Sequence, residues 1–317
     1  MKTLLFWIVR LFLKPILSPR VPLRLQRAAT AMVGHAVWSP RDTDRTTVDM
    51  NGVPALQLIP TGAVGGRVIL YLHGGGYVFG GTGSHANAVA HIGKAAGAGV
   101  FFPLYRLAPE DPYPAAVEDA MAAYRWLLDQ GNSPDLLAIV GDSAGGGLTV
   151  ATLVAIRDAG LPMPGAAALI SPWVDLTRSG DSVLGRAGRD PMLSPPYLRF
   201  CAQAYCADQP SSHPGCSPLF ADLRGLPPLL IQVGSEEALY SDSERLAKLA
   251  NRTQVEVNFK CYQGLWHVFQ LFAGWLREAD DAVAEIGLFL RQRWDATSLG
   301  AQQAVQADKP AFGGPAA

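Results

Sequence analysis

A chain of 317 residues, 49% of them apolar and 17% charged, has the makeup of one large folded core. Its formal net charge of −1 creates no field that would gather phosphate backbones, so a nucleic-acid partner is not expected. The four cysteines, Cys201, Cys206, Cys216 and Cys261, show no paired CxxC spacing with histidines, which argues against a structural zinc and points to reduced thiols in a cytoplasmic protein.

The first residues, MKTLLFWIVRLFLKPILSP, resemble a signal peptide only superficially. Arg10 and Lys14 interrupt the apolar run, Thr3 to Val9 is too short to span a bilayer, and no small-x-small cleavage site follows closely. Leu4, Leu5, Ile8, Leu11 and Phe12 recur at helical spacing with Arg10 and Lys14 off that stripe, which predicts an amphipathic helix. We read it as a cover over the active site in preference to a membrane-surface helix, because the segment is short and its basic face weak. Residues 1–45 are thus assigned to an N-terminal lid segment.

From Thr46 onward, β-rich runs alternate with helical ones, the order of a mostly parallel sheet with helices on both faces. Val48 to Met50 and Leu56 to Ile59, split by Asn51-Gly52, predict an opening hairpin. The runs Val68–Leu72, Gly99–Phe102, Leu137–Val140, Ala167–Ile170, Leu229–Val233 and Val255–Phe259 are short, apolar and bounded by Gly or Pro, as buried strands are. Helices are predicted over Ala115–Leu128, Gly145–Asp158, Ser241–Asn251 and Arg277–Arg291. Between Asp175 and Leu226 the pattern breaks around one helical piece, Pro196–Tyr205, so residues 175–226 are expected to form a lid insertion within a catalytic domain of residues 46–296. The stretch from Thr297 to Ala317 has too few large apolar residues to offset the entropy of ordering it, and a disordered tail is expected.

Gly141-Asp142-Ser143-Ala144-Gly145 is a G-x-S-x-G pattern that directly follows a predicted strand and opens a helix. Alone it is an ordinary Gly-rich turn capping a helix. In that setting, however, a strained turn would leave Ser143 exposed at the sheet's carboxyl end with a helix N-terminus beneath it. His73-Gly74-Gly75-Gly76 follows the strand Val68–Leu72, and its backbone N–H groups can approach an anion closely because no side chains intervene. The competing reading, a phosphate loop, would need a GxGxxG frame or a Walker lysine, and neither is present.

Three motifs now stand in order: HGGGY (His73–Tyr77), YRLAPEDPYPAAVED (Tyr105–Asp119) and GDSAGGG (Gly141–Gly147). In these the chain resembles bacterial carboxylesterases of the hormone-sensitive-lipase family, over nearly its whole length except the two ends. The resemblance implies an α/β-hydrolase fold, Ser143 as nucleophile, and an oxyanion hole from Gly75, Gly76 and the backbone of Ala144. It gives His73 the part of organising the glycine loop, with Gly74 supporting the same turn, and gives Asp142 and Asp119 structural or loop-bracing parts. The base must come late in the chain, and His267, in Gly264-Leu-Trp-His-Val-Phe269 after a strand, fits the family's histidine loop. His35, His85, His91 and His213 are read as structural or pocket-lining.

Where the family more often has Asp-Pro-Leu, this chain has Glu237-Ala238-Leu239. Glu237 is therefore the expected acid, since either carboxylate can orient an imidazole if it reaches it. Asp242 and Glu236 are the alternatives, although Asp242 also fits a helix start in Ser241-Asp-Ser-Glu244. Trp266, Phe269, Phe272 and Trp275 read as core packing, with a second possibility of walling an acyl pocket. The expected reaction is hydrolysis of short- to medium-chain esters through an acyl-enzyme, with no metal or organic cofactor and a small-molecule ester as partner. The same residues could open a lactone or an amide. A non-catalytic binder on this scaffold, as in plant hormone receptors resembling the family, is the rival from another class; loss of the serine or histidine would mark it, and both are present.

Overall fold

The computed structural model describes residues 1–36, 40 and 42–307, and for 33–36 and 297–307 the backbone course alone. Short apolar runs form an eight-stranded sheet: β1 (Thr43–Met50), β2 (Val53–Pro60), β3 (Val68–Leu72), β4 (Gly99–Pro103), β5 (Leu137–Asp142), β6 (Ala166–Ile170), β7 (Leu229–Gly234) and β8 (Val257–Tyr262). Their spatial order is β1-β2-β4-β3-β5-β6-β7-β8. β2 pairs antiparallel with both β1 and β4, and all other pairings are parallel. Every residue of β3 to β7 is buried, which requires helices on both faces of the sheet. The β1–β2 hairpin turns at Asn51 and Gly52, with φ of +57° and +89°, the left-handed pair that a two-residue turn needs.

The outer strands depart from the predicted bounds. β1 begins at Thr43 rather than Val48, inside the segment assigned to the lid, and β8 runs to Tyr262 instead of ending at Phe259. Both are edge strands. β1 fully buries only Met50, so Thr43 to Thr47 carry no apolar alternation to reveal them.

The helices are α1 (Lys2–Ile8), joined by a π-helical turn (Val9–Leu13) to α2 (Lys14–Ile16), then α3 (Leu23–Ala36), α4 (Thr82–Ala96), α5 (Ala115–Asp129), α6 (Ala144–Asp158), α7 (Ser182–Gly185), α8 (Pro195–Cys206), α9 (Tyr240–Arg252) and α10 (Arg277–Ala307). Three of these, α3, α4 and the single-turn α7, were not expected. α4 is built largely of Ala, Gly, Ser and Asn, which gives it a weak apolar stripe although it packs between α3 and α10. α10 continues through Thr297 to Ala307, where an unstructured tail is expected from composition; its Ala and Gln are good helix formers even without large apolar residues. Residues 308–317 of that expected tail lie outside the described residues.

The N-terminal helix forms as expected but presents a different side to the protein. The residues it buries are Leu5, Val9 and Leu17, with Leu13 partly covered, whereas Leu4, Ile8, Leu11 and Phe12 of the predicted stripe face outward. Arg10 and Lys14 explain the rotation. Arg10 Nη1 donates to Gly188 O at 2.8 Å and Lys14 Nζ to Ala187 O at 3.2 Å, so the basic side is spent on a loop of the 175–226 insertion. Phe6 sets its ring edge-on against Trp266, 5.9 Å between centroids, and the buried amide of Gln26 accepts from Tyr197 Oη at 2.6 Å. These contacts tie residues 1–36 to the His267 loop and to α8.

Candidate active site

Ser143 stands between β5 and α6 with φ +53° and ψ −121°, a strained conformation for a residue with a side chain. Its neighbours impose the turn. Ser143 N donates to Ile170 O at 2.8 Å, and Ser143 O accepts from Trp173 N at 2.8 Å. The helix then crosses β3 so closely that a Cβ at Gly145 would lie 2.0 Å from Leu72 O, which leaves glycine as the residue that fits.

Three side chains from three loops meet at this turn. His267 Nε2 lies 2.8 Å from Ser143 Oγ, and His267 Nδ1 lies 3.0 Å from Glu237 Oε2. A carboxylate can only accept, so the ring proton belongs on Nδ1 and the Nε2 lone pair faces the serine hydroxyl. His267 and Glu237 are buried completely and Ser143 nearly so. Burial by itself would lower the pKa of His267. The hydrogen bond and charge of Glu237 outweigh burial and raise it above the ordinary imidazole value.

The other candidate carboxylates are engaged elsewhere. Asp242 Oδ2 accepts the N–H groups of Val174 and Asp175 at 3.1 and 2.9 Å, and burial, reinforced by the charge of Asp175, pushes this carboxyl up to about 8. Glu236 forms a two-pronged pair with Arg189. The loop therefore brings Glu237, and neither of the other two, to the imidazole.

Two residues that the sequence did not single out hold Glu237 and the residue after it. Ser171, at φ +48° after β6, donates its hydroxyl to Glu237 Oε1 at 2.7 Å and accepts the N–H of Val268 at 3.2 Å. Asp190 lies buried in the 175–226 insertion. Its Oδ2 accepts Ala238 N at 2.8 Å, while Oδ1 accepts the N–H groups of Met192 and Leu193. A single serine or aspartate in a loop gives no periodic or motif signal, and both become visible only through contacts across the sheet.

The glycine loop after β3 is braced from below. Asp142 Oδ1 accepts Gly74 N at 2.9 Å and Tyr71 Oη at 2.8 Å, and His85 Nε2 lies 3.4 Å from Oδ2. Burial would raise the Asp142 pKa, but His85 and these donors outweigh it and hold the carboxyl below its usual value. His73 Nδ1 donates to Gly74 O at 2.7 Å, and the ring stacks on Tyr105 at 4.2 Å. Burial, helped by His85, pushes His73 down to about 3, so it is a neutral brace. Gly75 has φ +118°, and a Cβ there would meet Phe79 O at 2.0 Å. The N–H groups of Gly75, Gly76 and Ala144 donate to no acceptor among the described residues.

A cavity opens in front of Ser143, Gly75 and Gly76. Leu13 and Leu17 wall it from the N-terminal segment, Met192, Leu193 and Leu198 from the insertion, and Phe272 from the His267 side. Trp266 and Phe269 are core residues, and Trp275 is half exposed. Among the described residues no group of three His, Cys, Asp or Glu is arranged to hold a metal ion.

A sheet of this order with a strained serine after its fifth strand defines the class of α/β hydrolases. The family model described as alpha/beta hydrolase fold matches residues 69–271. An acetyl-hydrolase of Streptomyces hygroscopicus is 48% identical over 71% of this chain and 76% of its own. An esterase of Acinetobacter venetianus is 38% identical over 70% of this chain and 74% of its own. A crystal structure of an esterase from the bacterial hormone-sensitive lipase family superposes with a TM-score of 0.89 at 40% identity, covering 92% of this chain and 98% of that one. The chain belongs to the alpha/beta hydrolase family and, within it, is hormone-sensitive-lipase-like.

Proposed function

We propose that the protein is a serine carboxylesterase in which Ser143, His267 and Glu237 form the catalytic relay. The observation that carries the reading is the unbroken chain of contacts from Glu237 Oε2 to His267 Nδ1 at 3.0 Å and from His267 Nε2 to Ser143 Oγ at 2.8 Å. His267 takes the hydroxyl proton as Ser143 Oγ attacks the ester carbonyl carbon, and Glu237 steadies the resulting imidazolium. The carbonyl oxygen gains the negative charge and is met by the N–H groups of Gly75, Gly76 and Ala144, a geometry in which one donor is worth roughly 3–4 kcal/mol of barrier. Collapse of this intermediate expels the alcohol, which receives its proton from His267, and leaves the acyl group on Ser143. Water attacks the acyl-enzyme with His267 again as base, releasing the acid and restoring the serine.

Carboxylic ester hydrolysis agrees with the activity named for the acetyl-hydrolase and esterase relatives. The apolar walls contributed by residues 1–45 and 175–226, which we assign as the lid, suit a short- to medium-chain ester as small-molecule partner. The four free thiols support a cytoplasmic location. The test is hydrolysis of p-nitrophenyl esters of graded chain length by wild type and by Ser143→Ala, Glu237→Ala and Asp242→Ala. Activity is expected to vanish in Ser143→Ala and to fall steeply in Glu237→Ala; full activity in Ser143→Ala would end the proposal.

A further inference from the structure

The N-terminal helix is apolar on two sides, and the protein covers one. Leu5, Val9 and Leu17 are buried, while Met1, Leu4, Trp7, Ile8, Leu11 and Phe12 lie on the opposite arc, with Leu4, Leu11 and Phe12 exposed by 58%, 60% and 68%. A helix that is hydrophobic all round ordinarily has cover all round. Six large apolar side chains on about three helical turns form a continuous strip, unlike isolated surface leucines.

The surrounding charge selects what covers it. The first 41 residues contain seven Lys or Arg and no Asp or Glu, in a chain whose net charge is −1. Arg27 is paired with Glu110 at 2.7 Å and Lys14 lies in the field of Asp190, whereas Lys2 and Arg10 bond to backbone carbonyls, with no carboxylate paired to them among the described residues. Arg20 and Arg24 are exposed. An apolar strip with tryptophan and phenylalanine, set in an entirely cationic segment, matches the interface of an anionic bilayer, with apolar side chains below the headgroups and basic ones among them. No helix among the described residues is long and apolar enough to cross a membrane, so the geometry is that of lying on the surface.

We propose that the outward side of this helix docks on an anionic phospholipid surface. The inner side of the same segment supplies Leu13 and Leu17 to the cavity over Ser143, so a docked protein holds a wall of its substrate cavity at the lipid interface.

Flotation of the full chain with vesicles tests this without turnover, so its result stands apart from the catalytic reading. Wild type is expected to float with phosphatidylcholine–phosphatidylglycerol vesicles, weakly with phosphatidylcholine alone, and less as salt is raised. The triple variant Leu4→Ser, Leu11→Ser, Phe12→Ser should bind about tenfold or more weakly while hydrolysing dissolved p-nitrophenyl acetate as wild type does. Arg20→Gln with Arg24→Gln, which leaves the apolar strip intact, should reduce the preference for anionic vesicles. Absence of wild-type flotation, or equal flotation by both variants, overturns the proposal. So does a wild-type dimer by light scattering that the triple variant converts to monomer, since a second copy would then be what covers the strip.

Discussion

Ser171 Oγ donates to Glu237 Oε1 at 2.7 Å, on the side of the carboxylate away from His267. The same hydroxyl oxygen accepts Val268 N, so one side chain ties the acid to the loop that carries the imidazole. Ser171→Ala leaves a buried carboxylate oxygen with fewer donors and the Val268 N–H without its acceptor, a loss of about 1–3 kcal/mol. We expect kcat to fall about tenfold with KM little changed, together with a lower melting temperature. Wild-type kcat in this variant would show that the hydroxyl does not steady the relay.

The base limb of the pH profile follows from His267. In the proposed relay the imidazole must be neutral to accept the serine proton, and Glu237 raises its pKa above the ordinary value, so kcat/KM should fall as pH drops through that raised pKa. In Glu237→Gln the opposing charge is gone and burial prevails, so the limb should move to lower pH while kcat falls on the order of 10³-fold or more. An unmoved limb would mean that another group sets it.

Asp242 makes stability depend on pH. In the fold its carboxyl is pushed up to about 8, whereas in the unfolded chain it ionises in the ordinary carboxylate range. Between those two values the native state keeps a proton that the unfolded state has lost, so this site's contribution to stability declines as pH rises and levels off above about 8. Asp242→Asn cannot titrate, and its carboxamide oxygen can still accept from Val174 and Asp175. Its melting temperature should therefore gain on that of wild type as pH rises from about 4 to about 8. Parallel melting curves across that range would contradict the linkage.

Gly145→Ala should act on the backbone. A methyl group would sit 2.0 Å from Leu72 O and 2.4 Å from His73 O, neither of which is a flexible side-chain end. The helix and β3 must separate, at a cost of about 1–3 kcal/mol or more, and the turn that presents Ser143 moves with them. Thermal unfolding and p-nitrophenyl butyrate turnover should both decline. A variant as stable and as active as wild type would show that the crossing has slack.

Much of this protein was legible where the relevant residues are neighbours in the chain. The buried strands β3 to β7 show as short apolar runs because both faces of each are covered, and the strand–turn–helix around Ser143 shows because its glycines are forced by the crossing backbone. The edge strand β1 and the helix α4 were obscure for the opposite reason, since neither carries a full apolar stripe.

The sequence by itself determined the fold class, the candidate nucleophile and base, and the glycine loop, because local sterics and periodicity write those features into adjacent residues. The tertiary structure decided the matters that depend on direction. Glu236, Glu237 and Asp242 share one loop and its helix, and only the path of the chain after β7 aims Glu237 at His267 while turning Asp242 into the backbone at Val174. It likewise decided which side of an all-apolar helix faces inward, because hydrogen bonds from Arg10 and Lys14 to the loop at Ala187 and Gly188 set a rotation that hydrophobic spacing could not distinguish.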